Sequence, residues 1–143
     1  MSLQTKKIGN ATELSCMAAF ANLGYDVLIP FGDCNRYDFV VDMKGKLIKI
    51  QCKTAKIADD NSYIFVKCRS TCNIKGHSVD KAYTKEEIDF FATFYDGKCY
   101  LIPIEECGKA AKTLRLTKTL SGQIKNINYA EDYELEKVLN AIT

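Results

Sequence analysis

Apolar residues recur at three- and four-residue steps near the start of the chain: Ile8, Ala11, Leu14, Ala18 and Ala21. That period belongs to a helix. It predicts one over residues 5–23, capped by Thr5 and closed by Gly24, with the stripe from Ile8 to Ala21 facing the core. Gly9 inside the helix costs about 1 kcal/mol relative to Ala, which points to close packing or to the close approach of another group. The period then shortens. Residues 25–31 read as a strand, 32–36 ("GDCNR") as a loop, and 37–42 and 46–54 as two strands joined at Lys44-Gly45. Residues 62–68 ("SYIFVKC") form another apolar strand. Residues 69–83 are polar and read as irregular. "TKEE" at Thr84 has capping-box spacing and predicts one helical turn. "IDFFATFY" and "CYLIPI" flank Asp96-Gly97 as a hairpin. "TLRLTKT" alternates like a short edge strand, and residues 131–142 read as an amphipathic helix with Tyr133, Leu135, Val138, Leu139 and Ile142 available for packing. With no repeat, low-complexity tract or linker, the expectation is one α/β or α+β domain over residues 1–143.

The strands around Lys44-Gly45 carry the most information. If they pair antiparallel, Val41 meets Ile48, Phe39 meets Ile50 and Tyr37 meets Cys52, giving an apolar face. The other face then pairs Val40 with Lys49, Asp38 with Gln51 and Arg36 with Lys53. Side chains alternate along a strand, and a one-residue slip would destroy this segregation, so the pattern supports the register.

Composition changes the picture only in its distribution. The chain carries 47% hydrophobic residues, 27% charged residues and a net charge of +2, which excludes a disordered chain and makes no case for nucleic acid by itself. The sorting is more telling. Residues 43–76 hold eight Lys/Arg against two Asp, and residues 109–130 hold five Lys/Arg and no acid. Residues 1–42 carry five acids against three bases, and the segment from Glu131 is acidic. This suggests a basic face beside an acidic spot, although solvated strand faces would give the same pattern. Seven cysteines, an odd count, lie largely in apolar runs. With no signal-like or membrane-spanning stretch, the expectation is a cytoplasmic protein with reduced thiols, among which Cys16, Cys52 and Cys99 are small core residues.

A carboxylate opposite an amide oxygen, with an ammonium two residues on, is suited to Mg²⁺ and to the hydrolysis of a phosphodiester. The same residues also fit a solvent-facing cross-strand ion pair, and the pattern alone leaves both readings open. Cys68, Cys72 and His77 offer half a zinc site, completed by Cys99 or Cys107, but at an uncommon spacing. No motif supports a Cys–His nucleophile at His77.

Here the residues resemble a known family. A helix Glu in "GNATE", a strand Asp in "YD" (Tyr37-Asp38) and a Gln-x-Lys in "QCK" (Gln51, Lys53) are similar, in this order, to the PD-(D/E)XK nuclease superfamily. The layout "LGYDVLIPFG…YDFVVD…IQCKT" is especially similar to the small bacterial branch that includes group I intron homing endonucleases. The resemblance covers residues 8–56 well and extends to 88–104; beyond Cys107 it is loose. It implies a restriction-endonuclease-like fold, a mixed central sheet flanked by helices. It implies Asp38 as the central metal ligand, Glu13 as a second carboxylate, Gln51 in the place usually held by Glu or Asp, and Lys53 as the catalytic lysine. Two departures stand out. Tyr37 replaces the usual Pro, and Gln51 is neutral, as in the homing-endonuclease branch.

The resemblance further implies Mg²⁺, with Mn²⁺ able to substitute, and double-stranded DNA as substrate. Lys6, Lys7, Arg36, Lys67, Arg69, Lys75, Arg115, Gln123 and Lys125 are candidates for DNA contact. A chain this small is expected to cut both strands as a homo-oligomer, a dimer or tetramer. Two readings compete with a homing or restriction endonuclease: a Holliday-junction resolvase, and a DNA-binding module that retains the scaffold without catalysis.

Overall fold

The computed structural model describes every residue except 1, 109, 120, 123 and 124. Helix α1 spans Leu3–Asn22 and is followed by β1 (Asp26–Leu28), β2 (Phe39–Met43), β3 (Lys46–Cys52), β4 (Lys56–Ile57) and β5 (Tyr63–Lys67). Then come β6 (Arg69–Ile74), β7 (His77–Ala82), β8 (Phe90–Tyr95), β9 (Lys98–Pro103), β10 (Ala111–Arg115) and helix α2 (Leu135–Ile142). Short 3₁₀ turns cover Ile104–Glu106 and Ala130–Tyr133.

The main sheet has the order β1-β2-β3-β8-β9. β3 and β8 run parallel and the other pairs antiparallel. The register of β2 on β3 is the one the alternation predicts: Phe39 opposite Ile50 and Val41 opposite Ile48. On one face Phe39, Val41, Ile48, Ile50, Phe90 and Leu101 pack beneath the two helices. Phe20 of α1 meets Phe39 edge to face, with ring centroids 5.8 Å apart, an arrangement favoured by the ring quadrupoles. The opposite face packs Phe91, Tyr100 and Ile102 against Ile64, Val66 and Leu114, which belong to the three-stranded sheet β10-β5-β4. Two cores therefore share the main sheet between them.

The mixed α/β architecture matches expectation, and several details correct it. Helix α1 starts two residues earlier than the spacing predicts, because Ser2 caps it: its Oγ accepts the Thr5 N–H at 3.1 Å. Its buried face is Thr12, Cys16 and Phe20, while Leu14 is 63% exposed and Ile8 45%. The stripe from Ile8 to Ala21 thus faces outward. A Cβ on Gly9 would meet nothing within 4 Å, so no packing within the chain calls for glycine there. The strand read over 25–31 forms only at Asp26–Leu28. The last segment splits into the 3₁₀ turn Ala130–Tyr133 and α2, which buries Leu135, Val138 and Leu139 and leaves Ile142 exposed. The turn at Thr84 forms as expected, and the edge strand read over 113–119 forms earlier, at Ala111–Arg115.

The largest correction is the segment 69–83, which is an antiparallel hairpin. β6 pairs with β7 from Arg69 opposite Ala82 to Ile74 opposite His77. Its tip, Lys75-Gly76, has φ of 51° and 79°; two consecutive positive φ values make the type I′ turn that matches strand twist, with glycine bearing the second at no steric cost. Both strands are largely exposed on both faces, so there is no buried face for an apolar alternation to mark.

Candidate active site around Asp38 and Lys53

Asp38 lies one residue before β2, held by its own N–H donating to Ile50 O at 2.8 Å. Its Oδ2 accepts the Cys52 N–H at 2.7 Å. Gln51 and Lys53 lie at the end of β3 on the same face as Asp38, and Lys53 N–H donates to Ala92 O of β8 at 2.9 Å. Glu13 comes from α1, next in sequence to Thr12, whose hydroxyl lies 3.3 Å from that of Thr54. That contact ties the helix to the chain just past Lys53. The four residues nominated by the sequence are thus brought to one place, all half-buried.

The three charged members, Glu13, Asp38 and Lys53, influence one another's proton affinities. Burial, and then the charge of Asp38, holds the Glu13 carboxyl above its ordinary value. Burial also raises Asp38, against the Cys52 N–H and the Lys53 ammonium, which both favour its charged form. Lys53 is pushed down by burial, more than the Asp38 charge restores; Lys67 and Arg36 push the same way.

The oxygens of this cluster are short of donors. Asp38 Oδ1 and both oxygens of Glu13 meet no donor among the described residues. Gln51 donates its Nε2 to Cys52 O at 3.3 Å, and its amide oxygen meets no donor among the described residues. Two half-buried carboxylates whose remaining oxygens are open to solvent, with an amide oxygen beside them, suit a hard divalent cation. No group of three His, Cys, Asp or Glu with metal-site geometry occurs among the described residues, so such a site depends on Gln51 as its third protein ligand.

Lys53 is the cationic side of the cluster. Its Nζ donates to Arg69 O at 3.1 Å and lies 5.3 Å from the centre of the Tyr83 ring. Arg36 stacks on the same ring at 3.9 Å. Its guanidinium donates to Ser70 Oγ at 2.7 Å and Ala82 O at 2.8 Å, and its Nε lies 3.0 Å from Glu87 Oε2. Arg36, a candidate for DNA contact, is therefore a strut that roots the β6–β7 hairpin beside Asp38. Tyr83, Glu87 and Thr12 are contributors that the sequence did not signal. Tyr83 was the one aromatic at the end of a polar segment, and only the hairpin's closure brings it between two cations.

The remaining DNA candidates separate into groups. Lys67 and Arg69 lie at the root of the hairpin and Lys75 at its tip. Lys67 reaches Thr71 and Asp80, and Arg69 donates to Asp80 O at 3.2 Å. Lys6 and Lys7 are exposed on the first turns of α1. Arg115 lies at the far end of β10, where its Nε donates to Thr117 O at 3.0 Å; Lys125 is exposed in the segment that follows, and Gln123 is outside the described residues. The half zinc site does not assemble: Cys68 is buried in the second core, while Cys72 and His77 are exposed and stand opposite Val79 and Ile74. No helix is long and apolar enough to cross a membrane.

Comparison with known proteins gives this geometry a context. The solved structure of a bacterial homing endonuclease, I-Ssp6803I, superposes with a TM-score of 0.74, covering 97% of each chain at 23% identity. That likeness speaks for the fold. No curated protein sequence matches the chain. The sequence family described as PD-(D/E)XK endonuclease matches residues 3–136, nearly the whole length and all four clustered residues, and the chain belongs to that family.

Proposed function

We propose that this chain is a divalent-metal-dependent endonuclease that hydrolyses phosphodiester bonds in double-stranded DNA, of homing or restriction type. The observation that carries the reading is the cluster itself: three carboxylate oxygens and an amide oxygen with no donor among the described residues, and a half-buried ammonium beside them. Asp38, Glu13 and Gln51 would hold the cation, Mg²⁺ or Mn²⁺. When bound, the cation supplies Lewis-acid activation of water and charge neutralisation at phosphorus.

The chain's own residues do the rest. The Cys52 N–H fixes the Asp38 carboxylate, and the Thr12–Thr54 contact fixes the helix that carries Glu13. The Lys53 ammonium, positioned by Arg69 O and the Tyr83 ring, steadies the negative charge that grows on the phosphate oxygens. Its lowered proton affinity makes it a better proton donor near neutral pH than an ordinary lysine. Lys67, Arg69 and Lys75 extend a basic surface from the site along the hairpin, and a two-stranded ribbon has the width of a major groove. Lys6 and Lys7 supply phosphate contacts from α1. Two active sites are needed to cut two strands, which favours a homo-oligomer, dimer or tetramer.

The test is cleavage of a mixed pool of linear duplex, plasmid and four-way junction with Mg²⁺ or Mn²⁺, beside Asp38→Ala and Lys53→Ala. Cleavage is expected to be lost in both variants while salt-sensitive DNA binding persists. Full activity in either variant overturns the site. Preferential cutting of the junction selects a resolvase instead, and DNA binding without cleavage by the parent chain selects a binding module.

A further inference from the structure

Residues 29–36 join β1 to the Tyr37-Asp38 pair at one end of the main sheet. Leu28, the last residue of β1, stands opposite Val40 of β2, and Asp38 lies two residues before Val40. The loop therefore starts and finishes beside the candidate site. One strand spacing of about 5 Å, two strand steps of about 3.3 Å and three residues of at most about 3.6 Å each put Phe31 within about 22 Å of Asp38. The far end of the loop is held. Arg36 stacks on Tyr83 and donates to Ser70 Oγ and Ala82 O, so loop and β6–β7 hairpin share one strut.

The tip of this loop is apolar and in water. Phe31 is completely exposed, Ile29 is 70% exposed and Leu28 43%. Pro30 fixes its own φ and restricts that of Ile29, and Gly32, at a φ of 84°, turns the chain just after Phe31. The ring thus stands out on a stiff stem. Burying a phenylalanine is worth about 1.5–3 kcal/mol, and nothing within the chain takes up this one. Clustered exposed apolar side chains mark contact surfaces. Residues 29–36 hold one acid, Asp33, and one base, Arg36. With no net charge, and with its guanidinium committed to the hairpin, the loop is unsuited to gripping phosphates. What it presents to a partner is its apolar tip.

We infer that Phe31 is a wedge that enters between adjacent base pairs of the duplex held at the Asp38 cluster. This rests on the reading of the chain as one that acts on double-stranded DNA. A duplex with a phosphate at Asp38 and Lys53 runs alongside the loop, because the loop is tied to the site at both of its ends. At about 3.4 Å per base pair, Phe31 reaches a step no more than about six pairs from that phosphate. Phe, Ile and Pro are side chains that part base steps, and Ile29-Pro30-Phe31 brings all three to one tip. Pyrimidine–purine steps unstack most easily. The wedge therefore gives the chain a preference for such a step near the cut, without a hydrogen bond to any base.

The chain contains no tryptophan, so Phe31→Trp puts a single indole at the tip. This variant is made in the full chain together with Asp38→Ala, so that bound DNA stays intact. It is titrated with three probes: the alternating duplex poly(dA-dT), the duplex poly(dA)·poly(dT), and heparin. The second has the same bases and no pyrimidine–purine step; the third is a polyanion without bases. Binding is followed separately by anisotropy of labelled probe. Indole emission is expected to fall by about half or more on the alternating duplex, where the ring stacks on bases, less on the homopolymer duplex and not with heparin. Phe31→Ala is expected to weaken binding to the alternating duplex by about fivefold or more, the loss of one stacked base, with heparin binding and melting temperature unchanged. A duplex that binds while emission stays constant overturns the inference. Equal quenching on both duplexes does so as well, since it puts the ring in a groove and not between base pairs. Emission that shifts to the blue with rising protein concentration, without DNA, overturns it in favour of a second copy of the chain on the loop. The nuclease reading fails separately. Quenching on the alternating duplex, when the parent chain cuts no DNA, keeps the wedge and removes the hydrolysis, and cutting without quenching does the reverse.

Discussion

The two helices lie over the same sheet face, and they differ in what they present to it. α2 is strongly amphipathic: Leu135, Val138 and Leu139 are buried, and Glu136, Lys137 and Asn140 face solvent. α1 has no such division. It buries Thr12 and Cys16 beside Phe20 and leaves Leu14 and Ile8 exposed. The difference follows from position. α2 covers core and nothing else, so the hydrophobic effect alone sets its pattern. α1 covers core at its C-terminal half and the Asp38 cluster at its N-terminal half. Its inward face therefore carries Thr12, which reaches Thr54, and Glu13, which faces Asp38.

The sharpest way to test this division is to remove the apolar anchor of α1. Phe20 is fully buried and stacked edge to face on Phe39. Phe20→Ala is expected to cost about 3–5 kcal/mol in urea unfolding, the range for a deleted core aromatic. Leu139→Ala in α2 is expected to cost less, about 2–4 kcal/mol, since a smaller side chain leaves a smaller cavity near the end of the chain. If the α2 substitution costs more, α1 is the less firmly packed helix and the comparison reverses.

How much of this was legible in the sequence follows the same division. α2 and the β2–β3 register could be read because one face of each is buried and the other wet, so periodicity reports packing directly. The four candidate residues could be named because the same alternation gathers Asp38, Gln51 and Lys53 on the polar face, and because the resemblance adds Glu13. The inward face of α1 could not. Its outward stripe satisfies a helical period better than its inward one does, and nothing local says that Thr12 and Cys16 are the buried positions. The hairpin β6–β7 escaped for a related reason. A ribbon exposed on both faces needs no apolar alternation, and its one local signal was Lys75-Gly76, the same kind of turn dipeptide that was read correctly at Lys44-Gly45 and Asp96-Gly97.

A smaller effect separates the polar half of α1 from its apolar half. The folded pKa of Asp38 lies above the ordinary 3.8, so the folded chain binds more protons there than the unfolded chain. Stability from this group is then full below pH 3.8 and is lost as pH rises through the folded value. At neutral pH the ionised carboxylate therefore detracts from stability. Asp38→Asn keeps an oxygen for the Cys52 N–H and removes the charge. It is expected to raise the melting temperature at pH 7 without metal, an advantage that vanishes in acid. Mg²⁺ or Mn²⁺ is expected to raise the melting temperature of the parent chain and to leave that of the variant nearly unchanged. A variant less stable than the parent at pH 7 would mean that the Lys53 attraction outweighs burial.

The smallest expected effect is at the outward stripe of α1. Leu14 is 63% exposed and contributes little by burial, so Leu14→Ser is expected to change unfolding stability by no more than about 0.5 kcal/mol, the usual range at surface positions. The measurement is informative because that stripe has the spacing of a packed face, with Ile8, Ala11, Ala18 and Ala21 beside Leu14. Small residues let a second helix approach closely, and the proposed homo-oligomer would need such a surface. The urea midpoint is therefore measured over a hundredfold range of protein concentration. A midpoint independent of concentration, and alike in parent and variant, places the stripe in water. A midpoint that rises with concentration in the parent and not in Leu14→Ser places another copy of the chain against it, because mass action stabilises only what associates. The helix would then face a core on one side and a partner on the other, and the exposed apolar stripe of α1 would have a physical cause.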